Sequence, residues 1–124
     1  MPCSCDRAGA CVIIPVYDHA RNIAAVVRGA REHASTVLVC DDGSTDGSGE
    51  AAASAGAIVL RHAVNQGKGA ALWSLLHGAL DRKFRYAISI DADGQHLTSD
   101  LPKLAALALE EPGTLVIGER GFAE

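Results

Sequence analysis

The stretch "TVLVCDDGSTDGSGEAAASAGAIVLR", Thr36 to Arg61, decides the fold. It opens on an apolar, β-branched run. Two acids follow, Asp41 and Asp42, and then a cluster of Gly, Ser and Thr. Asp46 sits where a helix cap belongs, ahead of "EAAASA", and Gly56 supplies a stop. "AIVLR" is a second apolar run. Strand, turn, helix and strand within 26 residues make one βαβ unit, which puts the two strands parallel in one sheet.

The same pattern continues on both sides. Upstream, "ACVIIPVY" reads as a strand buried on both faces and ended by Pro15. Asp18 can cap a helix over "HARNIAAVVRGAREH", whose Ile23, Val26, Val27 and Ala30 share one face. Downstream, "NQGKGAALWSLLHGAL" is a glycine-bounded turn and a helix. Ala71, Leu72, Leu75, Leu76 and Ala79 form its apolar face, and Trp73 is expected to pack it on its neighbours. "YAISI" is a fourth strand. "LTSDLPKLAALALEE" is a loop and helix stopped by Pro112 and Gly113, and "TLVIG" is a fifth strand. The expected fold is α/β: a mostly parallel sheet with helices on both faces. Residues 1–9 are expected to form a flexible N-terminus, and residues 10–124 a single domain.

The composition agrees. Of 124 residues, 48% are hydrophobic and 21% charged, enough to bury a core and too apolar for a disordered chain. Aromatics at 4% and a net charge of -4 argue against a nucleic-acid-binding surface. No run of about 18 apolar residues marks a membrane span, and the N-terminus has no signal-peptide core. Reduced thiols and a cytoplasmic location are expected. Of the four cysteines, Cys11 and Cys40 lie in apolar runs and read as small core residues. "CSC" lacks a second pair at ligand spacing, which argues against a structural metal.

Ligands of an open parallel sheet bind outside the carboxyl ends of its strands. Here those ends carry Pro15, Tyr17 and Asp18; Asp41, Asp42 and Ser44; Asn65, Gly67 and Lys68; Asp91, Asp93 and Gln95; and Arg120. In "AISIDADGQH", Asp91 and Asp93 leave an extended chain on the same side. With Gln95 they offer oxygen ligands to Mg²⁺ or Mn²⁺, whose usual further partner is a phosphate. The other reading is a solvated acidic turn, and residue chemistry alone leaves both open. Lys68, between Gly67 and Gly69, can meet an anion near a helix N-terminus, or the glycines can serve a tight turn. Asp41 can accept from a nucleobase or a ribose, or form an Asx turn. Asp46 reads as a cap only. His19, His33, His62 and His77 are scattered without ligand spacing and read as surface or helix residues. No G-x-x-x-x-G-K-[ST] is present, nor a G-x-G-x-x-G after the first strand, which lowers the kinase, ATPase and dehydrogenase readings.

Four motifs in order, "VIIPVYDHARNI", "VLVCDDGSTDGSG", "NQGKGAAL" and "ISIDADGQH", resemble the nucleotide-sugar-binding half of family 2 glycosyltransferases. These have the Rossmann-like GT-A fold, and the nearest likeness is to polyprenyl-phosphate sugar transferases of the dolichol-phosphate mannosyltransferase kind. The resemblance runs from about Cys11 to Arg120. It implies that Pro15 and Tyr17 hold the nucleoside, and that Asp41, beside Asp42, recognises the base. It implies that Lys68 and Arg120 meet phosphate, and that Asp91, Asp93 and Gln95 hold a divalent metal and through it the sugar diphosphate. Asp93 and Arg120 are the residues it implies for catalysis.

The implied reaction is metal-dependent, inverting transfer from a GDP- or UDP-sugar to an acceptor, with a polyprenyl phosphate the nearest match. That acceptor implies peripheral association at the cytoplasmic membrane face. Three departures stand out. Asp18-His19 replaces the usual Asn-Glu. A glycine expected soon after the Gly-Lys-Gly turn falls at Gly78. The chain stops at Glu124, so the fold is expected to be incomplete on its C-terminal, acceptor-binding side. The alternative is a binding module that holds donor and metal but transfers nothing. An incomplete sheet also predicts an exposed edge and a homodimer.

Overall fold

The structure, a computed structural model, describes residues 5–6, 9–92 and the backbone of 116–117. The expected helix between Leu97 and Glu111, and the residues Asp93, Gln95, His96 and Arg120, lie outside the described residues.

Among the described residues five parallel strands form one sheet: β1 (Ala10–Val16), β2 (Val37–Asp42), β3 (Ile58–His62), β4 (Tyr86–Ser89) and β5 (Val116–Ile117), in the order β3-β2-β1-β4-β5. Three helices connect the first four: α1 (Ala20–Arg31), α2 (Ser48–Ser54) and α3 (Lys68–Asp81). The order runs one way from β1 through β2 to β3 and the other way through β4. The sheet therefore has a switch point at β1, the place where such folds open a ligand crevice.

Alternate strand residues split the core in two. Val12, Ile14, Val37, Val39 and Ile88 pack with Ile23, Val26, Val27 and Ala30 of α1 and Ala52 of α2. Cys11, Ile13, Leu38, Cys40 and Ala87 pack on the other face with Ala71, Leu75 and Ala79 of α3. Each buried Val, Ile or Leu contributes roughly 1.5–3 kcal/mol relative to exposure, so both helical stripes are strong determinants. Gly78 adds to the fit of α3. A Cβ there would come within 3.1 Å of Leu60 Cδ1.

Some expectations need correction. Strand β1 does not end at Pro15 but runs through it to Val16. Val12 N–H bonds Thr36 O on the β2 side, so Pro15, three positions on, turns its missing N–H toward β4. The β1–β4 ladder has already ended at Ile13↔Ser89, so the proline costs no ladder bond. Trp73 does not pack α3 on its neighbours. It is 66% exposed and meets the edge of His77, ring centroids 4.7 Å apart, on the outer face of its own helix.

The caps also differ. Asp18 does not cap α1: its backbone is left-handed, at φ 54°, and its Oδ1 accepts from Thr45 N–H at 3.0 Å. The free N–H groups of His19 and Ala20 instead reach Ser48 Oγ at 3.0 Å and Asp46 Oδ2 at 3.0 Å. Asp46 Oδ1 accepts from Ser48 N–H at 3.1 Å. One aspartate thus serves the N-termini of two helices, while Gly47 occupies the N-cap position of α2. The stop at Gly56 is as expected. Gly56 has φ 109°, and Gly56 and Ala57 N–H bond Ala53 and Ala52 O, closing the helix in a Schellman arrangement.

Within the segment 1–9, Cys5 is fully buried and donates its N–H to His33 O at 3.0 Å, and Asp6 accepts from Ser35 N–H at 3.0 Å. Cys11 and Cys40 are buried free thiols. No helix among the described residues is long and apolar enough to cross a membrane.

Candidate functional site

A cavity of about 560 Å³ opens at the carboxyl edge of the sheet, beside the switch point. Its walls come from four strand ends. Pro15 lies near the end of β1, and Tyr17 and His19 follow it; Asn65, Gly67 and Lys68 follow β3; Asp91 and Ala92 follow β4; and Asp42 forms part of the lining from the end of β2. The volume lies in the range of small-molecule sites. Seven of the strand-end residues singled out in the sequence share one cavity: Pro15, Tyr17, Asp42, Asn65, Gly67, Lys68 and Asp91.

Lys68 is the first residue of α3, and its Nζ lies 3.3 Å from Asp91 Oδ1. The pair joins the turn after β3 to the end of β4. Gly67 makes that turn feasible. Its φ of 99° and ψ of 159° lie in a region open essentially to glycine. Gly43 has a different reason. A Cβ there would come within 2.5 Å of Asn65 N, so the turns after β2 and β3 touch backbone to backbone.

The two acids of β2 do different work because they point to opposite faces. Asp41 pairs in register with Arg61, and Asp42 with His62. Asp41 accepts from Ser44 N–H at 3.0 Å and from Arg61 Nη1 at 3.4 Å, and it is not among the cavity-lining residues. Arg61 also reaches Glu50 at 3.3 Å. Asp42 is buried and accepts from Gln66 N–H and Gly67 N–H, each at 2.9 Å, and from His62 Nδ1 at 2.7 Å. Burial alone would raise its carboxyl. The bonds from Gln66, His62 and Gly67 outweigh burial and hold it below the usual carboxylate range. Burial also pushes the Cys11 thiol up to about 12 and, with help from Asp42 and Asp41, the Cys40 thiol to about 11.

The residue chemistry passed over three participants. His19 lines the cavity, although it reads as a surface residue. His62 and Ser74 form a chain behind it, His62 Nε2 lying 2.8 Å from Ser74 Oγ. Their signal was positional. His62 ends β3 as Asp42 ends β2, and parallel neighbours in register share a face.

Among the described residues, no group of three His, Cys, Asp or Glu could hold a metal ion. Of the expected set, Asp91 alone is described. A carboxylate at the cavity wall is the hard oxygen donor that Mg²⁺ or Mn²⁺ takes, so the donor chemistry at this position fits such an ion.

The profile described as "Glycosyl transferase family 2" matches residues 11–124, and the chain belongs to that family. It is 33% identical, over 87% of its length, to an undecaprenyl-phosphate mannosyltransferase of Micrococcus luteus, of which it covers 46%. It is 34% identical, over 88% of its length, to a polyprenol monophosphomannose synthase of Mycolicibacterium smegmatis, of which it covers 44%. The chain thus spans less than half of either relative. Among solved structures, mannosyl-3-phosphoglycerate synthase from Rubrobacter xylanophilus superposes with a TM-score of 0.69 at 25% identity, over 92% of this chain and 42% of that one. The sheet order and the placement of the helices are those of the Rossmann-like GT-A fold.

Proposed function

We propose that this chain forms the donor-binding part of a metal-dependent, inverting glycosyltransferase that moves a sugar from a nucleoside diphosphate sugar to a polyprenyl phosphate. The observation that carries it is the convergence of Tyr17, Lys68 and Asp91 on one cavity at the switch point. Family membership and the two relatives named for polyprenyl-phosphate mannose chemistry support the acceptor.

The charge of the cavity supports a cation. Asp42 and Asp91 face one lysine among the described lining residues. A diphosphate adds two or more negative charges to a site already rich in carboxylate, which a divalent ion offsets. Asp91 would hold it, with Asp93 and Gln95. When bound, the ion neutralises the leaving diphosphate.

This chain's own residues do the rest. Pro15 and Tyr17 wall the nucleoside, and Lys68 donates to a phosphate oxygen. Asp41 keeps acceptor capacity after Ser44 and Arg61, since an ionised carboxylate has about four acceptor sites, and is the proposed partner of the base. Arg120 is proposed as a second phosphate contact. In the transfer, an acceptor phosphate oxygen forms a bond to the anomeric carbon from the face opposite the diphosphate. The bond to the diphosphate breaks, and that group leaves with the electron pair. The attacking oxygen is already anionic near neutral pH, since a phosphate monoester's second pKa is about 6, so little general-base help is needed.

A lipid acceptor places the reaction at the cytoplasmic membrane face. The proposal includes a homodimer through the β3 edge, where Ile58 is exposed; a clean monomer by gel filtration at high concentration would remove that part.

The test is calorimetry with GDP and UDP, each with and without Mn²⁺, on the chain and on Asp91→Ala and Asp93→Ala. Metal-dependent binding lost in both variants establishes the donor site and names the base. Absence of binding by either nucleotide overturns the proposal. Turnover with polyprenyl phosphate then separates a transferase from a module that only binds.

A further inference from the structure

Behind the cavity lies a chain of four groups. Ser74 Oγ is 2.8 Å from His62 Nε2, and His62 Nδ1 is 2.7 Å from Asp42 Oδ1. The Asp42 carboxylate in turn takes Gln66 N–H on Oδ1 and Gly67 N–H on Oδ2. Distances of this kind recur in Ser-His-Asp nucleophile sites. Here neither His62 nor Ser74 lines the cavity, Ser74 lies within α3, and both Asp42 oxygens are engaged. The arrangement supports a turn and attacks nothing.

We infer that His62 is a positioning residue: anchored by Ser74, it aims Asp42, and Asp42 fixes the Gln66–Gly67 turn that presents Lys68 to the donor diphosphate. The last link rests on the donor-site reading above, while the turn itself does not. Three observations carry the inference. Gly67 sits at φ 99° and ψ 159°, a conformation that has to be held from outside. Two consecutive N–H groups of that turn end on a single carboxylate. Among the described residues that carboxylate has one side-chain donor, His62, whose side chain is only 11% exposed. An ionised carboxylate only accepts, so His62 Nδ1 carries a proton. In the neutral ring Nε2 is then the acceptor for the Ser74 hydroxyl. In that tautomer the relay runs from Ser74 to Asp42, and Cys40 Sγ also lies 3.7 Å from Nε2.

Sequence order hides the relay, because its members come from β2, β3, the turn and α3. The sheet register assembles it: Asp42 and His62 are paired partners, and α3 lies over that same face.

The experiment compares the chain with His62→Ala, His62→Asn and Ser74→Ala. Asparagine keeps a donor near the Nδ1 position and loses the Ser74 contact. Amide exchange by NMR reads the turn directly. In His62→Ala, Gln66 and Gly67 should exchange faster, while Val39 in the sheet interior stays protected. Nitrogen shifts of the wild-type ring should report the Nδ1–H tautomer. Titration with GDP or UDP and Mn²⁺ should weaken roughly tenfold, the order seen when outer-shell hydrogen-bond partners are removed. Titration with guanosine or uridine, which lack phosphate, should not change. His62→Asn should recover most of both effects, and Ser74→Ala should show a smaller version of each.

Unchanged exchange at Gln66 and Gly67 overturns the inference, as does equal weakening of nucleoside and diphosphate. Loss of protection across the whole sheet in both His62→Ala and Ser74→Ala overturns it too, since the relay would then serve the fold alone. Should the wild type bind no nucleotide, the donor-site reading fails by itself, and exchange at the two amides still decides whether His62 holds the turn.

Discussion

Lys68 Nζ and Asp91 Oδ1 meet at 3.3 Å across the candidate site, one from the first turn of α3 and the other from the end of β4. Both are accessible: their side chains are 66% and 27% exposed. An exposed pair of this kind adds little to stability, so its significance lies in what can separate it. A phosphate can take the lysine and a cation the carboxylate, each leaving its partner for a stronger one.

Replacing Lys68 by Ala should therefore cost binding and spare the fold. A charge-assisted hydrogen bond contributes about 1.5–3 kcal/mol, which corresponds to roughly a 10- to 100-fold loss of diphosphate affinity. The melting temperature should stay close to that of the wild type. Calorimetry and a thermal melt on the same sample decide it. Unaltered diphosphate affinity would remove Lys68 from the site.

Gly67 and Gly69 flank that lysine and should behave oppositely. Gly67→Ala forces a side chain into a glycine-only conformation, at a cost of about 1–3 kcal/mol. Gly69 is helical, and a Cβ there would meet nothing within 4 Å. Gly69→Ala should be neutral or stabilising by up to about 1 kcal/mol. Urea unfolding of both variants measures the contrast. Equal effects would mean that the turn is not held in the observed conformation.

Asp42 links acidity to stability. Its carboxyl is held below the usual range in the folded chain, so the unfolded chain binds its proton first as pH falls. The stabilisation is fully present above the ordinary carboxylate value of about 3.9 and is lost as pH drops from there through the lower folded value. Asp42→Asn presents an amide N–H₂ to backbone donors and should cost about 1–3 kcal/mol near neutral pH. It should also flatten the acid limb of the stability profile. Denaturation curves from neutral pH downward test both, and an unchanged acid slope would refute the assignment.

The thiols work at the other end of the scale. Cys11 is raised to about 12 and Cys40 to about 11, so the folded chain keeps protons that the unfolded chain releases above about 8.5. Their contribution is present below that pH and declines as pH rises through the folded values. A thiol reagent at pH 8 should react with Cys11 and Cys40 only as fast as the protein unfolds, which mass spectrometry can follow. Labelling much faster than unfolding would contradict the burial.

Trp73 is the single tryptophan and provides a direct optical check. Its emission should be that of a solvated indole and should quench readily with iodide. Trp73→Gln should change stability by no more than about 0.5 kcal/mol. A blue-shifted, protected emission would show that this face of α3 is covered.

The described strands and the helices between them were legible in the sequence because each carries its own pattern. Ile23, Val26, Val27 and Ala30 recur at helical spacing, and β1 and β2 are continuous apolar runs. Pro15, Tyr17, Lys68 and Asp91 reach one cavity because each lies at or just past the end of a strand, and parallel strands bring their carboxyl ends to one edge. What failed depended on partners distant in sequence. Asp18 has the chemistry of a local cap, but Thr45 in the facing loop supplied a better-placed donor. Trp73 looked like core by its size, yet it falls on the outer stripe of α3. His62 has no motif of its own, and only its pairing with Asp42 gives it a role.

The loops after β1 and β2 are laced together in both directions. Asp18 N–H goes to Ser44 Oγ and Thr45 N–H to Asp18 Oδ1, while His19 and Ala20 lean on Ser48 and Asp46. Residues 18–20 and 44–48 are therefore one mechanical part made from two stretches of chain. Anyone transplanting specificity from a relative has to move both stretches together, because exchanging either alone leaves a half-buttoned seam beside Tyr17.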